Sequence, residues 1–490
     1  MSDCADPLLG KRETISDELE KVEKLLRTSS LEADAVYTLN HELNHFKTLV
    51  ASPMYLLFPT ISLLNLSLLR GYLQWHITSY PGIKVSIPCT ITALYSKDEL
   101  LQERLSSLLQ HVCWIEFIKQ LFWDSSLSSL QPDNQPAQYA DNRIEFFLLY
   151  LSHIINFGIF PTIHFEGIDY LRHPLSQLSV LDLLESHALL EELQIKCTLS
   201  QFSVNAAEAL LQDCPYSRPI LILRKLLDGD DWLLMRLLIR LAITTPFDRV
   251  TCDKLGLTTI RFRDWHPVLR LGELLGAWVA TGRRKFVSEI TRNKIPTEEE
   301  IVNYANSLTD HCGWPRIEAI LSTQEATDVL REYTAYRPSF MAELCTQPPQ
   351  FLKQYVQAAR EQAAFSRRVP AVFLTGFDLS KSVNKLLQAG IHEGYPVLRI
   401  HNGAWVPWAH VNAPSEDEQF KTFCEWLQTI IANELIWGNC FRASEFYIER
   451  TLSLLNSHRD AHAFHDELMQ KAFGIPRSHF LNHNSSPRTA

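Results

Sequence analysis

An apolar stripe at helical spacing runs through the chain between residues 30 and 52. Ser29 and Glu32 have the spacing of a capping box, which places the start of a helix near Ser30. Pro53 ends it, because the residue before a proline is pushed out of the helical region. The stripe repeats at i, i+3, i+7, i+10 and i+14 and consists of Val36, Leu39, Leu43, Phe46 and Val50. The pattern predicts an amphipathic helix that docks on a core through this stripe.

Other apolar segments also favour helices. The segment Leu178 to Gln194 is strongly apolar, and Pro296 to Leu308 has helical spacing. The sequence contains only 17 glycines, about half the usual share of roughly 7%. Few glycines and many good helix formers argue against a turn-rich all-β fold.

Short strands are predicted from β-branched and apolar runs. They are Lys84 to Tyr95, Pro370 to Phe377, Tyr395 to His401 and Ala404 to Val411, with Asn402-Gly403 as a hairpin turn. The fold class that follows is mainly α: a multi-helix domain that carries the capped helix, and a helical second half that contains a small β-sheet. We expect domains at 1–243 and 244–485, with a flexible tail at 486–490.

Charge and cysteine pattern restrict the class of protein. The formal net charge of -10 argues against a nucleic-acid partner, which would require a basic face. No two of the ten cysteines have C-x-x-C spacing, so a zinc ribbon and a thioredoxin-like site are excluded. The segment Met1 to Lys11 lacks the apolar core of a secretory signal. The segment Phe146 to Ile163 has polar interruptions and is interpreted as a buried core helix that ends near Gly158. We expect a cytoplasmic protein without a membrane partner.

The capped helix carries the sequence His41-Glu42-Leu43-Asn44-His45. Two histidines four residues apart project from one helix face, and both imidazoles can reach one metal ion. Glu42 lies beside that face, where a carboxylate can take a proton from a metal-bound water. The histidines lie roughly opposite the apolar stripe, so one face can pack while the other presents ligands.

On these residues, HELNH, the chain resembles the zincin metallopeptidases. The resemblance implies that His41 and His45 bind zinc and that Glu42 is the general base. The metzincin branch continues with a glycine and a third histidine, whereas this chain has Thr48 and Ala51 at those positions. The gluzincin branch instead takes its third ligand from a glutamate on a later helix.

Glu185 is the candidate third ligand. It shares a helix face with Leu181 and Ala188, and a carboxylate on so apolar a surface is costly unless it is paired or bound to a cation. Other candidates for the third ligand are Glu166, Asp169 and His187.

The sequence leaves three functional hypotheses. The first is a zinc-dependent hydrolase, a peptidase that acts on a peptide or protein substrate through a zinc-activated water, with the second half recognising the substrate or a partner. The second is a non-enzymatic helical interaction or scaffold protein in which HELNH is accidental or degenerate. The third is a di-iron helical protein, because Glu42 and His45 have the Glu-x-x-His spacing of such bundles.

Overall fold

A computed structural model describes His41, Asn44, His45, Arg367 and eleven longer stretches of the chain. These are 71–87, 97–104, 161–164, 175–198, 203–246, 249–286, 296–323, 370–375, 398–401, 404–407 and 479–482. The chain forms two compact units: residues 1–55, 122–338 and 356–395 make the first, and residues 56–121, 339–355 and 396–490 make the second.

The described residues are mostly helical, as the sequence predicts. The longer helices are α1 (Val180–Thr198), α2 (Val204–Asp213), α3 (Arg218–Leu227), α4 (Trp232–Ile243), α7 (Pro267–Ala280) and α8 (Glu298–Cys312). The shorter ones are α5 (Arg249–Lys254), α6 (Phe262–Trp265), α9 (Ile317–Thr323) and α10 (Pro370–Thr375), and Pro215–Ser217 forms a 3-10 turn. His41, Asn44 and His45 are also helical and are called the HELNH segment below. The predicted helices at 178–194 and 296–308 are confirmed as α1 and α8.

Within the described stretches, six short strands form three pairs. In the first unit β2 (Thr162–His164) pairs in parallel with β3 (Thr259–Arg261). In the second unit β1 (Val85–Ile87) pairs in parallel with β6 (Phe480–Asn482), and β4 (Leu398–His401) pairs in antiparallel with β5 (Ala404–Pro407). His401 pairs with Ala404, so a two-residue connection joins β4 to β5, as the Asn402-Gly403 signal predicts.

The predicted strand at Pro370 to Phe377 is wrong, because Pro370–Thr375 is the helix α10. A short apolar run cannot be assigned from periodicity alone, and proline is well tolerated in the first turn of a helix. Tertiary packing favours the helical conformation, because Phe373 and Leu374 are buried and α10 packs against α4 and α8.

Helix α4 is the centre of the first unit. All twelve of its residues are buried, and it packs against α1, α7 and α10. A helix that is apolar on all sides is stable only inside a core. Two of its buried side chains, Arg236 and Arg240, are nevertheless cationic.

A buried arginine joins the end of α4 to the elements that follow it. The Arg270 guanidinium donates hydrogen bonds to the carbonyl oxygens of Leu241, Ala242 and Thr244, at 3.1, 3.1 and 3.2 Å. It also stacks on the ring of Trp314, 3.7 Å from the centroid. These bonds satisfy carbonyls that a helix end leaves unpaired. Helices on both sides of residue 244 thus pack together. The predicted domains at 1–243 and 244–485 stay a prediction.

Several predicted features lie outside the described residues. They are Glu42, the ends of the HELNH helix, the strand residues beyond Ile87, most of the segment 146–163 and the tail 486–490. Within the described part of the chain, none of the helices combines the length and apolar character needed to cross a membrane.

A buried carboxyl group caps α4 and makes its stability depend on pH. The side chain of Asp231 accepts a hydrogen bond from the backbone N–H of Leu234 at 2.9 Å and is only 5% exposed. Burial raises its pKa from 3.8 to about 6, although backbone hydrogen bonds and the nearby Lys285 and Arg236 act in the opposite direction.

We predict that Asp231→Asn removes a pH-dependent contribution to the free energy of unfolding. A carboxyl whose pKa is higher in the folded chain binds its proton more tightly when folded, so wild-type stability falls as pH rises from 3.8 to about 6. Asparagine caps a helix as well as aspartate does and does not titrate. Urea unfolding across pH should show wild type losing roughly 3 kcal/mol relative to the variant over this interval. A difference that stays constant with pH would contradict the prediction.

Candidate metal centre

Helix α1 presents three charged side chains along one face. Its start is fixed by reciprocal hydrogen bonds between Ser179 and Asp182, at 2.7 and 3.0 Å. At about 100° per residue, Glu185, Glu192 and Lys196 fall within a narrow sector of the helix surface. This sector faces the histidines of the HELNH segment.

The side chains of His41, His45 and Glu185 meet at one point. The Nε2 atom of His41 lies 3.1 Å from Oε2 of Glu185, and the Nε2 atom of His45 lies 3.3 Å from the same oxygen. One ligand atom from each of the three residues lies within 4.8 Å of the others. Among the residues that the structure describes, this is the group of His, Cys, Asp and Glu side chains close enough to share a metal ion.

The two N···O distances are compatible with hydrogen bonds and also with ligand atoms that share one ion. Charge-assisted N–H···O bonds are about 2.7–2.9 Å long, and the neighbouring pair Lys196–Glu192 is of this kind at 2.6 Å. In a tetrahedral zinc site with bonds of about 2.0–2.2 Å, the ligand atoms lie roughly 3.3–3.6 Å apart. The two N···O separations in the structure, 3.1 and 3.3 Å, are close to that range. Two imidazoles and a carboxylate also match the donor set of catalytic zinc sites.

The second nitrogen of His41 contacts a second carboxylate. Its Nδ1 lies 3.2 Å from Oε2 of Glu192, whose other oxygen accepts a hydrogen bond from Lys196. When the ring is neutral, a carboxylate that accepts the Nδ1 proton leaves the Nε2 lone pair available to an ion beside Glu185. This carboxylate–histidine arrangement is how metal sites fix the tautomer and orientation of their ligands.

Mutual attraction sets the protonation of the metal-free site. Burial would lower the pKa of His41, but the hydrogen bonds and charges of Glu185 and Glu192 outweigh it and raise that pKa to about 9. Burial would raise the pKa of Glu185, whereas the two histidines lower it to about 2. Without an ion, a proton on His41 therefore balances part of the negative charge near pH 7.

These residues remain accessible to solvent at the edge of the helix contact. The side chains of His41, His45, Glu185 and Glu192 are 13–17% exposed. We call them, together with Lys196, the outer polar layer. Because the layer is neither sealed nor fully hydrated, an ion or a water molecule can reach it while the local dielectric stays below that of bulk water.

A second layer of polar residues lies deeper between the HELNH segment and α1. Asn44 and His187 are fully buried, and Glu191 is 1% exposed. The Asn44 amide nitrogen donates to Glu191, and the amide oxygen lies 3.0 Å from Nδ1 of His187. Arg240 of α4 approaches the same His187 nitrogen at 3.4 Å, and its guanidinium lies over the ring of Phe373. Asn44, His187, Glu191 and Arg240 form the inner polar layer.

The structure thus brings together the three residues that the sequence singles out as metal ligands. Glu42, and the other candidates Glu166 and Asp169, lie outside the described residues. His187 is described, but it belongs to the inner layer and is not part of the ligand group.

Sequence reasoning missed the roles of Glu192 and Asn44. Glu192 could have been found, since it follows Glu185 by seven residues and so shares its helix face. Asn44 carried no such signal, because a polar residue between two polar histidines is what an exposed helix face also shows.

Comparison of the chain with protein-family models, with curated proteins and with solved structures gave no match. The site must therefore be interpreted from its own chemistry.

Proposed function

We propose that this protein is a zinc-dependent hydrolase, most simply a peptidase. The observation that carries the proposal is the convergence of the two HELNH histidines on one oxygen of Glu185, at 3.1 and 3.3 Å. Structural zinc sites are normally closed by four protein ligands, whereas catalytic sites use three and keep one position open. The described group offers three.

Each residue has a defined task in this proposal. His41, His45 and Glu185 hold the ion, and Glu192 keeps His41 in the tautomer that binds through Nε2. A bound zinc ion would supply a water of lowered pKa and a Lewis acid for a substrate carbonyl. Glu42 is the general base, a role that rests on its place between the two histidines and on the resemblance to zincins. The substrate class, a peptide or protein, rests on the same resemblance.

Metal content is the first test. Purified protein should hold about one zinc per chain, and the double variant His41→Ala/His45→Ala should hold none, because a lone carboxylate binds zinc weakly. Elemental analysis after dialysis against a mild chelator measures both. Two irons per chain would favour the di-iron hypothesis, and no metal in wild type would favour a non-enzymatic helical protein. Full zinc occupancy in the double variant would refute the assigned ligands.

The carboxylate beside His41 provides a second test. Glu192→Gln keeps the size of the side chain but replaces the carboxylate that accepts from Nδ1. We expect the zinc dissociation constant to rise roughly 10- to 100-fold, the usual effect of losing such a partner. The matched control is Glu208→Gln, the same substitution at a glutamate that pairs with Arg224 on the surface. Equal affinities in the two variants would show that Glu192 does not orient His41.

The general base provides the third test. Glu42→Gln should leave zinc content and folding nearly unchanged while hydrolysis falls by roughly 10²- to 10⁴-fold, the usual contribution of a general base. Activity is first sought by screening wild-type protein, loaded with one zinc, against a peptide library. Undiminished hydrolysis by Glu42→Gln would rule out this mechanism even with zinc bound.

A further inference from the structure

In the inner polar layer, Asn44 joins the HELNH segment to α1. Asn44 has no solvent exposure, and its amide contacts two residues of α1 at once. The amide nitrogen donates to Glu191, and the amide oxygen lies 3.0 Å from Nδ1 of His187. His187 and Glu191 are four residues apart, so Asn44 spans one turn of α1.

The place of this contact in the sequence links it closely to the candidate ligands. Asn44 lies three residues after His41 and one before His45, while its partner His187 lies two residues after Glu185. Sliding the HELNH segment by one turn along α1, about 5.4 Å, would separate the amide from both partners. The same displacement would separate both histidines from Glu185.

An amide is the group that satisfies both partners. The Glu191 carboxylate accepts from the amide nitrogen, and the amide oxygen lies within hydrogen-bond distance of Nδ1 of His187. Alanine at position 44 offers neither group, and aspartate offers no donor to Glu191.

We propose that Asn44 is a positioning residue for the candidate metal centre: its amide sets the register in which both HELNH histidines reach Glu185. The inference rests on the proposed zinc site. It assigns a role to a residue within the HELNH sequence that touches neither the ion nor a substrate.

The test compares metal binding with folding. Asn44→Ala removes the amide, and His187→Ala removes one of its partners without changing the HELNH segment. The matched control is Ser186→Ala, which removes a buried hydrogen bond from the same turn of α1, because the Ser186 hydroxyl donates to the carbonyl of Tyr216 at 2.6 Å. Three quantities are measured: the melting temperature of the metal-free protein, the zinc affinity in competition with a chromophoric chelator, and the visible spectrum with cobalt(II) in place of zinc.

We expect Asn44→Ala and His187→Ala to weaken zinc binding roughly 10- to 100-fold, as loss of an outer-shell contact usually does. Their cobalt spectra should lose the intense bands of four-coordinate geometry. Ser186→Ala should lower the melting temperature but leave affinity and spectrum as in wild type. If Asn44→Ala does not fold, His187→Ala decides the question by the same measurements.

The two possible failures are distinguishable. Wild-type protein that binds neither zinc nor cobalt overturns the proposed function and this inference with it. Wild-type protein that binds zinc tightly, with affinity and spectrum unchanged in Asn44→Ala and His187→Ala, overturns the positioning role alone.

Discussion

Two imidazole nitrogens can face the same carboxylate oxygen only if the helix that carries them lies on α1 in one register. His41 and His45 are one turn apart, so the oxygen of Glu185 has to lie between their levels, about 3 Å from each. The contact of Glu192 with His41 and that of Asn44 with α1 both require this same placement. The outer and inner polar layers therefore depend on one geometric constraint, and a change that moves the HELNH segment affects both.

Burying several polar groups on α1 costs desolvation free energy, which apolar packing in the rest of the first unit offsets. A buried ion pair rarely stabilises a fold more than apolar residues of the same size would. Around it, α4 is buried on every side, and leucines surround the polar positions of α1. In the inner layer, Arg240 attracts Glu191 across the helix contact. In the outer layer, the proton on His41 balances part of the negative charge of Glu185 and Glu192. Because a metal ion would have to displace that proton, ion binding and proton release are coupled at this site.

The sequence predicted the site better than it predicted the details of the fold. Two local patterns identified the three side chains that meet: histidines at i and i+4, and a carboxylate on an apolar helix face. Both patterns depend only on the geometry of a single helix. The helix α10 was mistaken for a strand because its six residues are too few to show a period, and its contacts with α4 and α8 decide its conformation. The inner layer could not have been predicted, since the burial of Asn44 depends on which part of the chain covers it.

The length of chain between the motif and its third ligand is a poor guide to whether they meet. Glu185 lies 140 residues after His45, and each doubling of a loop costs only about 0.6 kcal/mol of closure entropy. That cost is smaller than the net value of a single charge-assisted hydrogen bond, about 1.5–3 kcal/mol. The number of residues between the motif and its third ligand therefore depends on how much structure the intervening chain forms. Which residue becomes the ligand depends on side-chain contacts. Glu192 follows Glu185 by seven residues and lies on the same face of an apolar helix. Such a pair of carboxylates therefore indicates a third metal ligand better than the number of residues between the ligand and the histidines does.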